Sequence, residues 1–219
     1  MAKRSITFGT YNTASNGWTL AALKLDDPSQ KTTFVSNPGG QGSWDLSTAL
    51  TDGVPIYNDR HLTVTLECSE GDRLSRKALI RTLVNTLDGM RVNIILPDDP
   101  DYFLDGRLKI AINYNDLSHA SVTITAVCDP WLYKVKETSA GGVLSDTPQV
   151  FTLTNNGRLG VVPVIQVSAT ATIRFGTFLT TLDHGTYQVS DIFITPGTHS
   201  VTCTGAGGLS FTFREAVLI

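Results

Sequence analysis

The chain has 219 residues, 41% hydrophobic and 17% charged, which fits one large soluble domain or two small ones and excludes a disordered or collagen-like chain. Seventeen Lys and Arg against twenty Asp and Glu give a net charge of −3, so the basic excess with which proteins grip nucleic-acid phosphates or anionic lipid is missing. No apolar run reaches the roughly 20 residues that span a bilayer, so membrane insertion is not expected.

The opening Met1-Ala2-Lys3-Arg4-Ser5 leads into alternating sequence rather than an apolar signal core, and we expect synthesis and folding in a cytosol. Between Ser36 and Arg60 the chain changes character, with Asn37-Pro38-Gly39-Gly40-Gln41-Gly42, then Asp52-Gly53-Val54-Pro55, and no sustained period. Structureless stretches longer than about 12 to 15 residues are uncommon inside compact domains and are usually functional. Trp44, Leu46, Leu50, Ile56 and Tyr57 give this arm too much apolar surface to remain in water. A partner subunit is the expected cover.

Leu62, Val64, Leu66 and Cys68 then alternate with Thr63, Thr65 and Glu67, the period of a half-buried strand. Ile80, Leu83, Val84 and Leu87 follow helical spacing, so a helix is predicted over about 73–88. Asp72 is placed to cap its N-terminus and Gly89 to end it, while Arg73, Lys77, Arg81 and Asn85 form the polar face. Met90 to Leu96 reads as a more fully buried strand stopped by Pro97. Tyr102–Asp105 and Arg107–Asn113 flank Gly106 as paired strands or as one bulged strand. Val122, Ile124, Ala126 and Cys128 again alternate with small polar residues.

Residues 136–148, with Glu137-Thr138-Ser139-Ala140-Gly141-Gly142, read as a linker, dividing an N-terminal domain (1–135) from a C-terminal one (149–219). The second half reads as all-β. Candidate strands are Gln149–Thr154, Val161–Val167, Thr170–Phe175, Thr186–Val189, Ile192–Thr195, His199–Cys203 and Leu209–Arg214. Turn chemistry at Asn155-Asn156-Gly157, Asp183-His184-Gly185, Thr195-Pro196-Gly197 and Gly205-Ala206-Gly207-Gly208 separates them, the last read as a tight hairpin. Only nine of the 84 residues after position 135 are charged, which suits a sandwich with much of its surface covered.

Chemistry has little foothold. No Walker loop, H-E-x-x-H, G-x-S-x-G or EF-hand pattern occurs, and His61, His119, His184 and His199 stand apart in sequence. Cys68, Cys128 and Cys203 lack C-x-x-C spacing and read as buried free thiols. Asp98, Asp99, Asp101 and Asp105 lack the regular ligand spacing of a calcium loop and read as a solvated turn. All three tryptophans, Trp18, Trp44 and Trp131, precede the linker, so the second domain keeps only Phe and Tyr as a platform for sugar rings. The expectation is a protein that is not an enzyme and carries no cofactor or metal.

Pro38-Gly39-Gly40-Gln41-Gly42-Ser43-Trp44-Asp45-Leu46-Ser47 resembles the P-G-x-x-G-x-x-D-L-[ST] stretch of siphophage distal tail proteins, called Dit. Tyr57 and Arg60 leading into the 61–68 strand, the single helix and Cys128-Asp129-Pro130-Trp131 follow in the family's order. The resemblance implies an N-terminal β-sandwich or split barrel with one helix and a belt arm over about 36–60, followed by a galectin-like C-terminal β-sandwich, in the short form without an inserted carbohydrate-binding module. It implies a hexameric ring in the virion tail tip, assembled in the host cytoplasm and joining the tail tube to the baseplate around a channel for DNA. The partners implied are further copies of the chain, the major tail tube protein, the tape measure protein, a tail-associated lysin or tip protein, and receptor-binding or baseplate proteins. DNA would only pass through the lumen. Carried over by position, Pro38, Gly39, Gly42, Asp45, Leu46 and Arg60 belong to the belt and its return, and Trp44 joins them as a subunit-interface residue through its exposed apolar bulk. The alternative is a carbohydrate-binding module acting through the C-terminal sandwich.

Overall fold

The computed structural model describes residues 4–51, 53–113 and 119–219; Met1 to Lys3 and Asp52, drawn on above, lie outside them. The chain is mainly β and divides into two compact units, Met1–Leu132 and Tyr133–Ile219.

In the first unit, β1 (Thr7–Phe8), β2 (Tyr11–Asn12), β3 (Thr19–Leu25), β6 (Arg60–Cys68), β7 (Arg91–Leu96), β8 (Asp99–Asn113) and β9 (Ala120–Lys134) form one sheet in the order β2-β1-β7-β8-β9-β6-β3. The period-two pattern sets its register. Leu62, Val64, Leu66 and Cys68 of β6 stand opposite Ala126, Ile124, Val122 and Ala120 of β9, and all eight are buried. Trp18 fills the same unit, fully buried, with its indole N–H donating to the Tyr11 hydroxyl at 3.1 Å.

Helix α1 (Arg73–Leu87) packs on β8 through buried Leu83 and Leu87. The Asp72 carboxylate accepts from the Ser75 backbone N–H at 2.7 Å, and Gly89 takes φ +75° beyond the C-terminus, as the capping residues predict. Beyond it β7 is less buried than its sequence suggests, with Ile94 alone fully enclosed. Of the two alternatives around Gly106, the structure shows one continuous strand, and the irregular register falls between Ile94 and Leu96 instead. Gly106 is required for packing: a Cβ there would stand 2.5 Å from the Cys128 sulfur.

The second unit is a sandwich of two four-stranded antiparallel sheets. One holds β10 (Thr138–Leu144), β17 (Gly207–Phe213), β12 (Val164–Val167) and β15 (Gly185–Gln188) in that order. The other holds β11 (Gln149–Asn155), β16 (Gly197–Gly205), β13 (Ala171–Phe175) and β14 (Phe178–Leu182). Leu153, Ile165, Ile173, Val201, Cys203 and Phe211 pack between them as one core.

Three expectations are corrected here. The 136–148 segment is not a linker: Thr138–Leu144 pairs with β17 through backbone bonds that require no apolar side chains, and Gly141 lies so close to β17 that a Cβ would meet the Leu209 carbonyl oxygen at 2.1 Å. Ile192–Thr195 is not a strand. Ile192 and Ile194 are buried while Phe193 between them is exposed, and only Ile194 bridges, to Val161. Gly205–Gly208 is not a hairpin, because β16 and β17 belong to different sheets and the glycines carry the chain across the core. A Cβ at Gly205 would meet the Thr170 carbonyl oxygen at 2.4 Å.

Candidate assembly surface

The arm begins where β3 and β6 leave the sheet together. The Asp26 N–H donates to the His61 carbonyl at 2.9 Å, Asn58 N–H to Ser29 at 2.8 Å and Lys31 N–H to Ile56 at 2.8 Å, so the two chains climb as a paired ribbon. Further out, β4 (Phe34–Ser36) pairs with β5 (Ser43–Asp45), setting Val35 opposite Trp44. The arm therefore starts about ten residues earlier than the sequence suggests and is ordered by its own backbone bonds.

The sequence explains this shape. Asn37 through Gly42 turns the ribbon, with Gly40 N–H donating to the Asn37 carbonyl at 3.2 Å and with Gly39 and Gly42 at φ +84° and +78°. Asp45 accepts the Ser47 backbone N–H at 2.9 Å, and hydrogen bonding by Ser47, through its side chain first and its backbone second, holds the carboxyl below the ordinary value. Leu46 N–H donates to the Thr33 carbonyl at 2.8 Å, and turn bonds follow from Ala49 N–H to Leu46 at 3.2 Å and from Thr51 N–H to Thr48 at 3.2 Å.

The outcome is a ribbon with an apolar surface and no core of its own. Trp44 is 58% exposed, Phe34 61%, Leu46 45%, Val54 62% and Leu50 99%. Single exposed apolar residues are ordinary, but so many concentrated on one ribbon without a core mark an interaction surface. Pro38, Gly39, Gly42, Trp44, Asp45 and Leu46 all fall on this ribbon. Phe34 and Val35 were missed by sequence reasoning because they precede Ser36, although two apolar residues just before the Pro-Gly turn, placed to pair with Trp44 and Asp45 beyond it, were the available signal.

Arg60 is placed differently. It is the first residue of β6, only 5% exposed, and its Nε donates to the Asp26 carbonyl at 2.9 Å. Burial lowers its pKa while Asp27 and Asp26 nearby oppose that shift. Beside it Tyr57 meets Trp131 edge to face, ring centres 5.6 Å apart. Arg60 thus fixes the root of the arm rather than its contact surface.

Elsewhere the structure offers little chemistry. Among the described residues, no three His, Cys, Asp or Glu side chains are grouped to hold a metal ion. Cys68, Cys128 and Cys203 are free and buried as the sequence suggests, and burial pushes the Cys128 and Cys203 thiols up to about 12, keeping them protonated. An open groove of about 740 Å³ lies on the β10-β17-β12-β15 sheet of the second unit, where Ser139, Gln166, Ser168, His184, Thr186 and Ser210 supply its polar lining. No Trp, Tyr or Phe lines it.

No family model and no curated protein sequence matches the chain. Among solved structures it is similar to the Dit protein of phage SPP1, described as a paradigm of the hub adsorption apparatus in phages infecting Gram-positive bacteria. The TM-score is 0.67 at 14% identity, over 96% of this chain and 98% of that one. A chain of the phage p2 baseplate in its activated conformation with Sr aligns with TM-score 0.49 at 9% identity, over 97% of each chain. The resemblance to distal tail proteins read from the sequence therefore holds as a shared fold along nearly the whole chain.

Proposed function

We propose that this chain is a structural protein of a phage tail tip, a distal tail protein whose copies close into a hexameric ring between the tail tube and the baseplate. The observation that carries the reading is the apolar arm, ordered within the chain yet left uncovered by it, on a fold shared with a tail hub protein. An arm that reaches one neighbour while its own body receives another arm makes a heterologous contact, and such contacts close into rings when the rotation fits. The arm residues Trp44, Leu46, Leu50 and Phe34 supply the contact, and Pro38, Gly39, Gly42 and Asp45 shape it.

In this reading the ring joins the tube and tape measure proteins on one side to a lysin or tip protein on the other. The second unit, a galectin-like sandwich, faces receptor-binding or baseplate proteins. The lumen passes DNA without gripping it, which a chain of net charge −3 suits. The role is structural, with no catalytic step, and the protein resides in the virion after assembly in the host cytoplasm.

The test is the absolute mass of the full chain across a concentration series, by light scattering or native mass spectrometry, with negative-stain images. Six chains in ring-shaped particles are expected. A chain that stays monomeric at high concentration and also fails to join tube and tip proteins would sink the proposal.

A further inference from the structure

Helix α1 breaks a rule of helix electrostatics. Arg73, Arg76 and Lys77 crowd its first turns, at the positive end of the dipole, Arg81 follows one turn on, and no Asp or Glu lies between Arg73 and Leu87. Arg73, Lys77 and Arg81 are spaced four apart, so they form one stripe about 12 Å long on an exposed face. No described carboxylate pairs with any of the three. Beside the stripe lies an open groove of about 360 Å³ with Ile80, Val84 and Ile112 as its apolar part and Lys77, Arg81 and Asn85 as its polar part.

The opposite charge sits at the other end of the same strand. The turn between β7 and β8 carries Asp98, β8 opens with Asp99, Pro100 and Asp101, and among these carboxylates only Asp98 has a described cation, Arg4. Burial first, and then the neighbouring Asp101, raise the Asp99 carboxyl above its ordinary value. Ile112, beside the basic stripe, lies eleven residues past Asp101 on β8, about 36 Å along the strand. The two patches cannot neutralise each other within one chain.

We propose that the acidic Asp98–Asp101 segment of one copy docks on the Arg73–Lys77–Arg81 stripe of the next, beside the Ile80–Val84–Ile112 groove. The occupant is a second copy because the chain itself carries the complementary patch, and repeated in one direction that contact is the head-to-tail kind that a ring requires. This rests on the ring reading and gives the ring a second contact, independent of the arm and responsible for its direction.

The test uses three full-length variants. One reverses the stripe (Arg73→Glu, Lys77→Glu, Arg81→Glu), one reverses the acidic start of β8 (Asp99→Lys, Asp101→Lys), and one carries both. Glutamate suits the first turns of a helix, so the stripe variant is expected to keep its helical dichroism. Each single reversal is expected to raise the concentration for half-assembly by at least about tenfold at ~0.15 M salt, and the combined swap to bring it back. The two single variants, each weakened alone, are expected to assemble when mixed, alternating around the ring. Rings indifferent to both reversals would overturn this contact and leave the ring reading standing. Loss with either reversal but no rescue by swap or mixing would also overturn it, pointing to another acidic tail protein or a phosphate chain as the stripe's partner. A wild-type chain monomeric at all concentrations would overturn the contact and the ring alike.

Discussion

Replacing Trp44 with alanine tests the arm most directly. In the isolated chain Trp44 is 58% exposed and faces only Val35 across the ribbon, so Trp44→Ala removes little from the fold. The expected loss of stability is below about 1 kcal/mol, the scale of one cross-strand pair. In a ring the same side chain is covered by the neighbour. A buried Trp contributes up to ~250 Å², so covering the exposed 58% removes about 145 Å² from water; allowing for what alanine retains, the net is ~130 Å² and about 3 kcal/mol per contact. Six such contacts weakened across five association steps raise the concentration for half-assembly on the order of 400-fold. Light scattering over a dilution series reads the shift, and thermal melting of the monomer reads the fold. An unchanged assembly curve would remove Trp44 from the interface, and a drop in stability of core size would show that it packs within its own chain.

Two further outcomes follow from packing and charge. Gly106→Ala brings a methyl group within 2.5 Å of the Cys128 sulfur, and a cost of about 1–3 kcal/mol in urea denaturation is expected; adding Cys128→Ala is expected to recover part of it, and strict additivity would refute the clash. Glu215, buried at 3% exposure, is pushed up by burial but held net below its ordinary value by Lys134, Thr138 and Asn156. Its stabilisation is therefore complete above the unfolded pKa of about 4.3 and disappears as pH falls through the lower folded value, so Glu215→Gln is expected to cost about 1–3 kcal/mol at pH 7 and to flatten the acid limb of the melting profile; parallel acid limbs would refute it.

Much of the fold was legible because one side-chain period decided it. Leu62 to Cys68 and Val122 to Cys128 alternate cleanly, and the structure pairs them face to face; Asp72 and Gly89 bracket the helix through capping chemistry that acts locally. The failures share another cause. β10 is built from Thr138-Ser139-Ala140-Gly141-Gly142-Val143-Leu144, which has no apolar face to read and owes its place to β17. The same glycine run that makes a hairpin turn also makes a crossing between sheets, so Gly205 to Gly208 could not reveal which it was. At the arm, composition announced an exposed apolar segment, but the backbone bonds that extend β3 and β6 into it depend on partners some thirty residues apart.

The path of the chain through the second unit governs how that unit comes apart. Taken in order, β10 through β17 alternate between the two sheets at every step except β13 to β14, the single hairpin among the described residues there. Most neighbours in either sheet are thus distant in sequence, which places the unit among slow-folding topologies with many non-local contacts. A sandwich threaded in this way cannot shed one sheet and keep the other, because each loop that leaves one sheet is anchored in its partner. Pulled from either end or heated, it is expected to yield in one cooperative step, as a single rivet rather than as two stacked plates.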